Sequence, residues 1–211
     1  MAAPALTPEA FAAAAGVSRE TLDRLRAYAA LLAKWQGAVN LVGRDTLDDL
    51  WRRHMLDSAQ LARYLPDGAR LVTDLGSGAG FPGLVLALVA GVRVHLVEAT
   101  GKKTAFLREA IRLTGAAAEV HHARIEALAP WPSDAVTARA LAPLDRLLGL
   151  AAPFLGPATP GVGPVCLFLK GARADEELTA ARKNRNIAVE RFASLAEPAG
   201  CVLRIRGVSR G

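Results

Sequence analysis

The chain has 211 residues, a formal net charge of +6 and 52% hydrophobic content. Those figures allow one α/β domain with an N-terminal helical addition, or barely two domains, and they exclude a disordered chain. The positive excess points to an anionic partner, with nucleic acid and a membrane surface both qualifying.

No apolar stretch approaches the ~18 residues that a membrane span needs. Met1 to Gly16 lacks the charged leading region of a secretion signal. The expectation is a soluble, cytoplasmic protein. Cys166 and Cys201 each sit in an apolar, strand-like run and read as buried small hydrophobes. Neither a disulfide framework nor a metal site is expected, which fits a reducing compartment.

Thr7-Pro8-Glu9 reads as a helix cap, a first-turn proline and a first-turn acid, with Gly16 as the stop. Ser18 caps a second helix, whose apolar stripe (Leu22, Leu25, Ala29, Leu32, Trp35) runs to Gly37. A third helix is expected from Leu47 to Tyr64, closed by Pro66-Asp67-Gly68. It carries the polar patch Trp51-Arg52-Arg53-His54-Met55-Leu56-Asp57-Ser58.

From Arg70 onward strands and helices alternate. Strands are predicted at about 70–75, 92–98, 118–122, 134–138, 164–169, 187–193 and 201–206. Helices fall near 82–90, 102–114, 143–153 and 174–183. Strands followed by helices imply a parallel sheet with right-handed crossovers. The last two strands, joined through Pro198-Ala199-Gly200, imply an antiparallel hairpin at one edge. Gly156 to Gly163, rich in proline and glycine, reads as a surface loop.

The first strand ends on Asp74 and turns through Gly76, Gly78 and Gly80 into an apolar helix. Glycines there can take positive φ and let a ligand approach bare backbone. Gly78-Ala79-Gly80-Phe81-Pro82-Gly83 matches the G-x-G-x-x-G dinucleotide pattern. A dinucleotide would set its diphosphate over the helix start, where the carboxylate of Asp74 repels it. An acid at that point suits a cationic ligand instead, such as the ammonium and sulfonium of S-adenosylmethionine. Glu98, closing the second strand, could hold ribose hydroxyls of either cofactor.

Seven strands with a terminal hairpin and an acid–glycine loop form the architecture of class I, Rossmann-like S-adenosylmethionine-dependent methyltransferases. Beyond that fold, the chain resembles the bacterial family that methylates N7 of a guanine in 16S ribosomal RNA, the glucose-inhibited division protein B family. The resemblance covers nearly the whole chain. It rests on Asn40-Leu41, Arg53-His54-Met55-Leu56-Asp57-Ser58, the loop from Asp74 to Gly83, Gly101-Lys102-Lys103, Arg124-Ile125-Glu126, Ala138-Arg139-Ala140 and Leu169-Lys170-Gly171. It implies an N-terminal helical region over 1–66, a Rossmann-like domain over 67–211, and a 16S rRNA or 30S subunit substrate. No membrane and no stable protein partner are implied.

The residues also bear on which atom is methylated. Transfer to C5 of a pyrimidine needs a reactive cysteine, and neither cysteine is placed for it. Transfer to an exocyclic amine needs an acidic-or-amide, Pro-Pro-aromatic loop after strand four, where this chain has Arg139-Ala140-Leu141-Ala142-Pro143. A ribose 2′-O transfer, the lesser alternative, wants a lysine paired with acids. Lys170 ends strand five, but strand four ends on Arg139. Guanine N7 has a free lone pair and no proton to remove, so alignment suffices.

By resemblance, Gly76, Phe81, Ile125, Glu126 and Arg139 match cofactor-binding positions; the residue reading adds Asp74, Gly78 and Glu98. Arg139 and His54 are candidates for substrate positioning, with no residue assigned as a catalytic acid or base. Arg52, Arg53, Lys102, Lys103, Lys170, Arg204 and Arg206 are candidates for phosphate contact. His95, His121 and His122 are read as structural, and no metal ligand is assigned. Two rival readings stay open: an RNA-binding assembly protein that keeps S-adenosylmethionine as a structural ligand, and an NAD-dependent oxidoreductase.

Overall fold

The computed structural model describes residues 4–157 and 163–210. Most of the Gly156 to Gly163 loop therefore lies outside the described residues. Two capped helices open the chain: α1 (Pro8–Ala15), whose Thr7 hydroxyl accepts from the Ala10 N–H, and α2 (Arg19–Gln36), capped likewise by Ser18.

The expected regular helix over 47–64 is not one helix. Arg44–Asp49 is a 3₁₀ segment, Trp51–Leu56 a π turn, α3 (Asp57–Ala59) a single α turn, and Gln60–Tyr64 again 3₁₀. In the π turn the Asp57 N–H reaches back to the Arg52 carbonyl. Partners outside the regular ladder hold nearby carbonyls: Ser58 Oγ donates to the His54 carbonyl, and Arg139 Nη1 to that of Arg53. Such wide turns recur where a helix is bent to serve a site.

The rest alternates as expected: β1 (Leu71–Leu75), α4 (Gly83–Val89), β2 (Arg93–Glu98), α5 (Gly101–Thr114), β3 (Ala118–His122), β4 (Ala135–Arg139), α6 (Leu144–Ala151), β5 (Val165–Lys170), α7 (Ala174–Arg182), β6 (Arg185–Ala193) and β7 (Cys201–Arg210). One seven-stranded sheet has the order β3-β2-β1-β4-β5-β7-β6. The first five strands are parallel, and β7 runs antiparallel to both β5 and β6. This is the class I methyltransferase topology.

The central strands are buried on both faces, as a doubly covered parallel sheet requires. On one face β1, β2, α4 and α5 share a continuous core with Phe11, Leu25, Tyr28 and Leu32 of the N-terminal helices. On the other, α6 and α7 cover Val136, Phe168 and Leu203. Both cysteines are buried and free, and burial pushes the Cys166 thiol up to about 12. No helix among the described residues is long and apolar enough to cross a membrane.

Candidate functional site

At the carboxyl ends of the parallel strands, where open α/β sheets bind ligands, lie two cavities separated by the segment Arg139–Ala142. The smaller, of about 330 Å³, is lined by Gly76, Gly78, Glu98, Lys103, Ile125 and Leu141, among others. The larger, of about 460 Å³, is lined by Thr46, Arg53, His54, Asp57, Lys170 and Ser194. Arg139 borders both.

Backbone shapes the smaller cavity. Gly76 and Gly78 have φ of +68° and +58°, and a Cβ on Gly76 would stand 2.7 Å from Leu141 Cδ1. Glu98 fixes the loop: its Oε2 accepts from the Gly78 N–H (2.9 Å) and its Oε1 from the Thr100 N–H (2.8 Å). Each carboxylate oxygen keeps a further lone pair for a ligand. Below the loop, the fully buried hydroxyl of Tyr28 donates to the Ala79 carbonyl. Burial lifts that phenol well above its ordinary pKa, so it remains a donor.

Asp74 lies beneath this cavity and not on its wall. It is 0% exposed; its Oδ1 accepts from Thr137 Oγ1 at 2.8 Å. Its Oδ2 lies against Gly83 at the start of α4 without hydrogen-bond geometry. A Cβ on Gly83 would come within 2.6 Å of Asp74 Cβ, so the glycine is what admits the acid there. Burial pushes its pKa up to about 6, against the pull of Thr137. Asp74, expected among the cofactor-binding residues, therefore lines neither cavity; its carboxylate lies buried beneath the glycine loop.

Phe81 also departs from expectation. Matched to a cofactor-binding position, it lines neither cavity and is buried, with Tyr28 5.4 Å away, the His54 ring stacked at 5.0 Å and the Arg139 guanidinium 5.0 Å over its face. Ile125 lines the smaller cavity over an apolar base, while the exposed Glu126 reaches Arg146 at 3.5 Å.

Side chains build the larger cavity. Arg139 Nη2 donates to His54 Nδ1 (2.8 Å), and Nη1 donates to the Arg53 carbonyl (3.2 Å) and faces Asp57 Oδ2 at 3.5 Å. Because a guanidinium only donates, His54 Nδ1 must be the acceptor and Nε2 carries the proton. That proton goes to Thr46 Oγ1 at 2.7 Å, and Thr46 donates in turn to the Gly43 carbonyl at 2.6 Å. Burial first, then Arg139 and Arg53, lower the His54 pKa to about 3. The imidazole is neutral at any physiological pH and cannot serve as a general acid. Asp57, raised by burial and pulled back by Arg139, also accepts from Gln60 Nε2. Gln60 in turn receives the Leu195 N–H and contacts Ser194 Oγ, tying the N-terminal helices to the β6–β7 turn.

The basic residues divide. Arg53 opens on the larger cavity while paired with Glu197. Lys103 borders the smaller one, and Lys102 is exposed beside it. Lys170 is mostly committed: its Nζ donates to the Ala142 carbonyl (2.9 Å) and to Glu177 Oε2 (2.7 Å), which holds the dividing segment. Arg52 binds Asp49 and the Pro4 carbonyl and lines neither cavity. Arg204 and Arg206 share Glu190 on the hairpin. The register sets Cys201 beside Lys170 and Ile205 beside Cys166, so Arg206 sits toward the opposite end of the strands from the cavities. These last three line neither cavity; alternation along a strand or helix does not reveal which end of a sheet a charge occupies. Sequence reasoning missed Tyr28, Thr46, Thr137 and Glu177. Tyr28 in the apolar stripe of α2 was the one visible signal, a hydroxyl where a core residue was due.

Comparison with known proteins follows the same outline. Residues 21–199 match the family model GidB, described as rRNA small subunit methyltransferase G. A protein named ribosomal RNA small subunit methyltransferase G from Paramagnetospirillum magneticum is 57% identical over 97% of both chains. One of the same name from Rhodospirillum rubrum is 57% identical over 97% of this chain and all of its own. Among solved structures, the glycopeptide N-methyltransferase MtfA with S-adenosyl-L-methionine superposes with a TM-score of 0.56 at 14% identity, covering 72% of this chain and 93% of that one. That last likeness speaks for the fold.

Proposed function

Since the chain belongs to the rRNA small subunit methyltransferase G family, we propose that it methylates N7 of a specific guanine in 16S rRNA, using S-adenosylmethionine, with rRNA or the assembling 30S subunit as its macromolecular partner. The observation that carries this is the pair of cavities meeting at Arg139, of which the smaller is proposed for the nucleoside cofactor and the larger for the base.

The smaller cavity fits the cofactor in its chemistry. Bare glycine backbone at 76 and 78 leaves room for the methionine portion, Glu98 offers lone pairs to ribose hydroxyls, and Ile125 supplies an apolar surface for adenine. Asp74, mostly ionised above its pKa of about 6, favours a cation above it and opposes a diphosphate. When bound, S-adenosylmethionine supplies an electrophilic methyl group.

The residues of the larger cavity position rather than exchange protons. His54 keeps its Nδ1 lone pair on Arg139 and its proton on Thr46, so neither nitrogen is free for acid–base work. That suits N7, whose lone pair is already exposed. Arg139, held by His54, Arg53 and Asp57, is the residue proposed to orient cofactor and base together. Alignment of this kind is worth about 7–11 kcal/mol at most. Lys170 and Glu177 brace the Ala140–Ala142 wall. Phosphate contact is proposed for Arg53, Lys102 and Lys103, near the cavity mouths. The boundary near residue 66 is proposed to divide a substrate-side helical region from the cofactor-side domain.

The test is 7-methylguanosine in 16S rRNA. A strain lacking this protein should lose one such nucleoside and regain it with the wild-type chain but not with Arg139→Ala. An unchanged nucleoside level would overturn the reading. Binding of cofactor and RNA without turnover on any assembly state would favour the assembly-protein alternative.

A further inference from the structure

Away from both cavities, on the face of the sheet that carries α6 and α7, three potential ligands converge at the edge pair β2–β3. The register sets His95 opposite Glu119 and Val97 opposite His121, so His95, Glu119 and His121 project from the same face. His121 Nε2 lies 3.1 Å from His95 Nδ1 and 3.8 Å from Glu119 Oε1, and the three ligand atoms fall within 4.8 Å of one another. Trp131 stacks on the His121 ring at 4.5 Å and leans on His95 at 4.8 Å, while its Nε1 donates to Thr73 Oγ1. The rings are therefore held by rigid strands and a pinned indole, while Glu119 remains exposed.

We propose that His95, His121 and Glu119 form a binding site for a first-row transition-metal ion of the zinc type, with its remaining coordination position open to solvent. Zinc bonds of 2.0–2.1 Å place tetrahedral ligands about 3.4 Å apart, between the two separations seen here. Imidazole nitrogen with carboxylate oxygen is a common zinc donor set. The facing ring nitrogens share at most one proton between them, and a tautomer shift that places it on the far nitrogen of its own ring leaves both facing lone pairs for the ion. Bound metal would cross-link β3, one of the two edge strands of the sheet, to β2. The site is independent of methyl transfer.

The experiment is calorimetric titration of the tag-free full chain with zinc chloride, alongside long-range ¹H–¹⁵N spectra of its four histidines. One equivalent should bind, the ring signals of His95 and His121 should shift, and those of His54 and His122 should stay. His95→Gln and Glu119→Gln should each weaken binding by about tenfold or more. Glu119→Gln changes an exposed side chain, so its fold survives to be measured. Absence of stoichiometric binding at micromolar zinc would overturn the site. So would shifts centred on His54 or His122, or unchanged affinity in Glu119→Gln.

Discussion

The two cavities share the wall Arg139–Ala142 but are made of different material. The smaller is backbone: glycines at positive φ, fastened by Glu98 from above and Tyr28 from below. The larger is side chain: a guanidinium, a neutral imidazole, a carboxylate and a lysine brought from segments more than a hundred residues apart. A backbone cavity is damaged by adding atoms, and a side-chain cavity by taking them away. The contrast also assigns tolerance, since Gly76 in the first has no room for a side chain and Arg139 in the second is held by several partners at once.

The sharpest way to break this contrast is deletion at the junction. Arg139→Ala should lower methyl transfer by on the order of 100-fold or more, because both partners lose their alignment. Arg139→Lys should recover little, as one ammonium cannot span His54 and the Arg53 carbonyl. Single-turnover kinetics with saturating cofactor reads this directly; near-normal turnover in the alanine variant would remove Arg139 from the centre.

Beneath the smaller cavity, Asp74 predicts a pH effect. Its folded pKa, about 6, stands above the unfolded value, so the folded chain binds the extra proton. The contribution to stability is present below the unfolded pKa and disappears as pH rises through about 6. Its size is on the order of 3 kcal/mol. Urea unfolding of wild type and Asp74→Asn between pH 4 and 7 isolates it, and the difference between the two should vary with pH in that window. Cofactor affinity of the wild type should fall as the pH drops through the same range.

Gly76→Ala places a Cβ 2.7 Å from Leu141 at a φ of +68°, a strain of about 1–2 kcal/mol. Cofactor affinity should fall by about tenfold, with the larger cavity's residues unaffected. Tyr28→Phe should cost about 1 kcal/mol in urea unfolding, since the Ala79 carbonyl loses its donor. Arg206→Ala, at the opposite end of the strands, should leave rRNA binding and turnover unchanged in filter-binding and transfer assays.

The smaller cavity was legible in the sequence because its demands fall on backbone. Gly76, Gly78 and Gly80 are written at the positions where φ must be positive, and Glu98 follows from the end of an obvious strand. The parallel sheet and its antiparallel edge hairpin were legible for the same kind of reason, from alternation and a last pair of strands without a helix between them, whereas the order of the strands was not. The larger cavity was not. Its members converge only in the folded chain, and nothing near Lys170 announces that its charge belongs to Glu177. The π turn was invisible too, since shifting a hydrogen bond by one residue leaves no mark on composition. Asp74 was half read: the charge was recognised, but its burial under Gly83 follows from packing alone.

The hydrophobic core that unites the N-terminal helices with α4, α5 and one face of the sheet has a consequence for how a substrate enters. A wall sharing that interior cannot swing aside as a door without exposing Phe11, Leu25 and Tyr28 to water. Under the proposed function the movement therefore belongs to the nucleic acid: the guanine has to leave its stack and travel to a fixed receptor. Folding intermediates of the ribosomal subunit, in which that base is already unstacked, should be modified faster than rRNA that holds it in place.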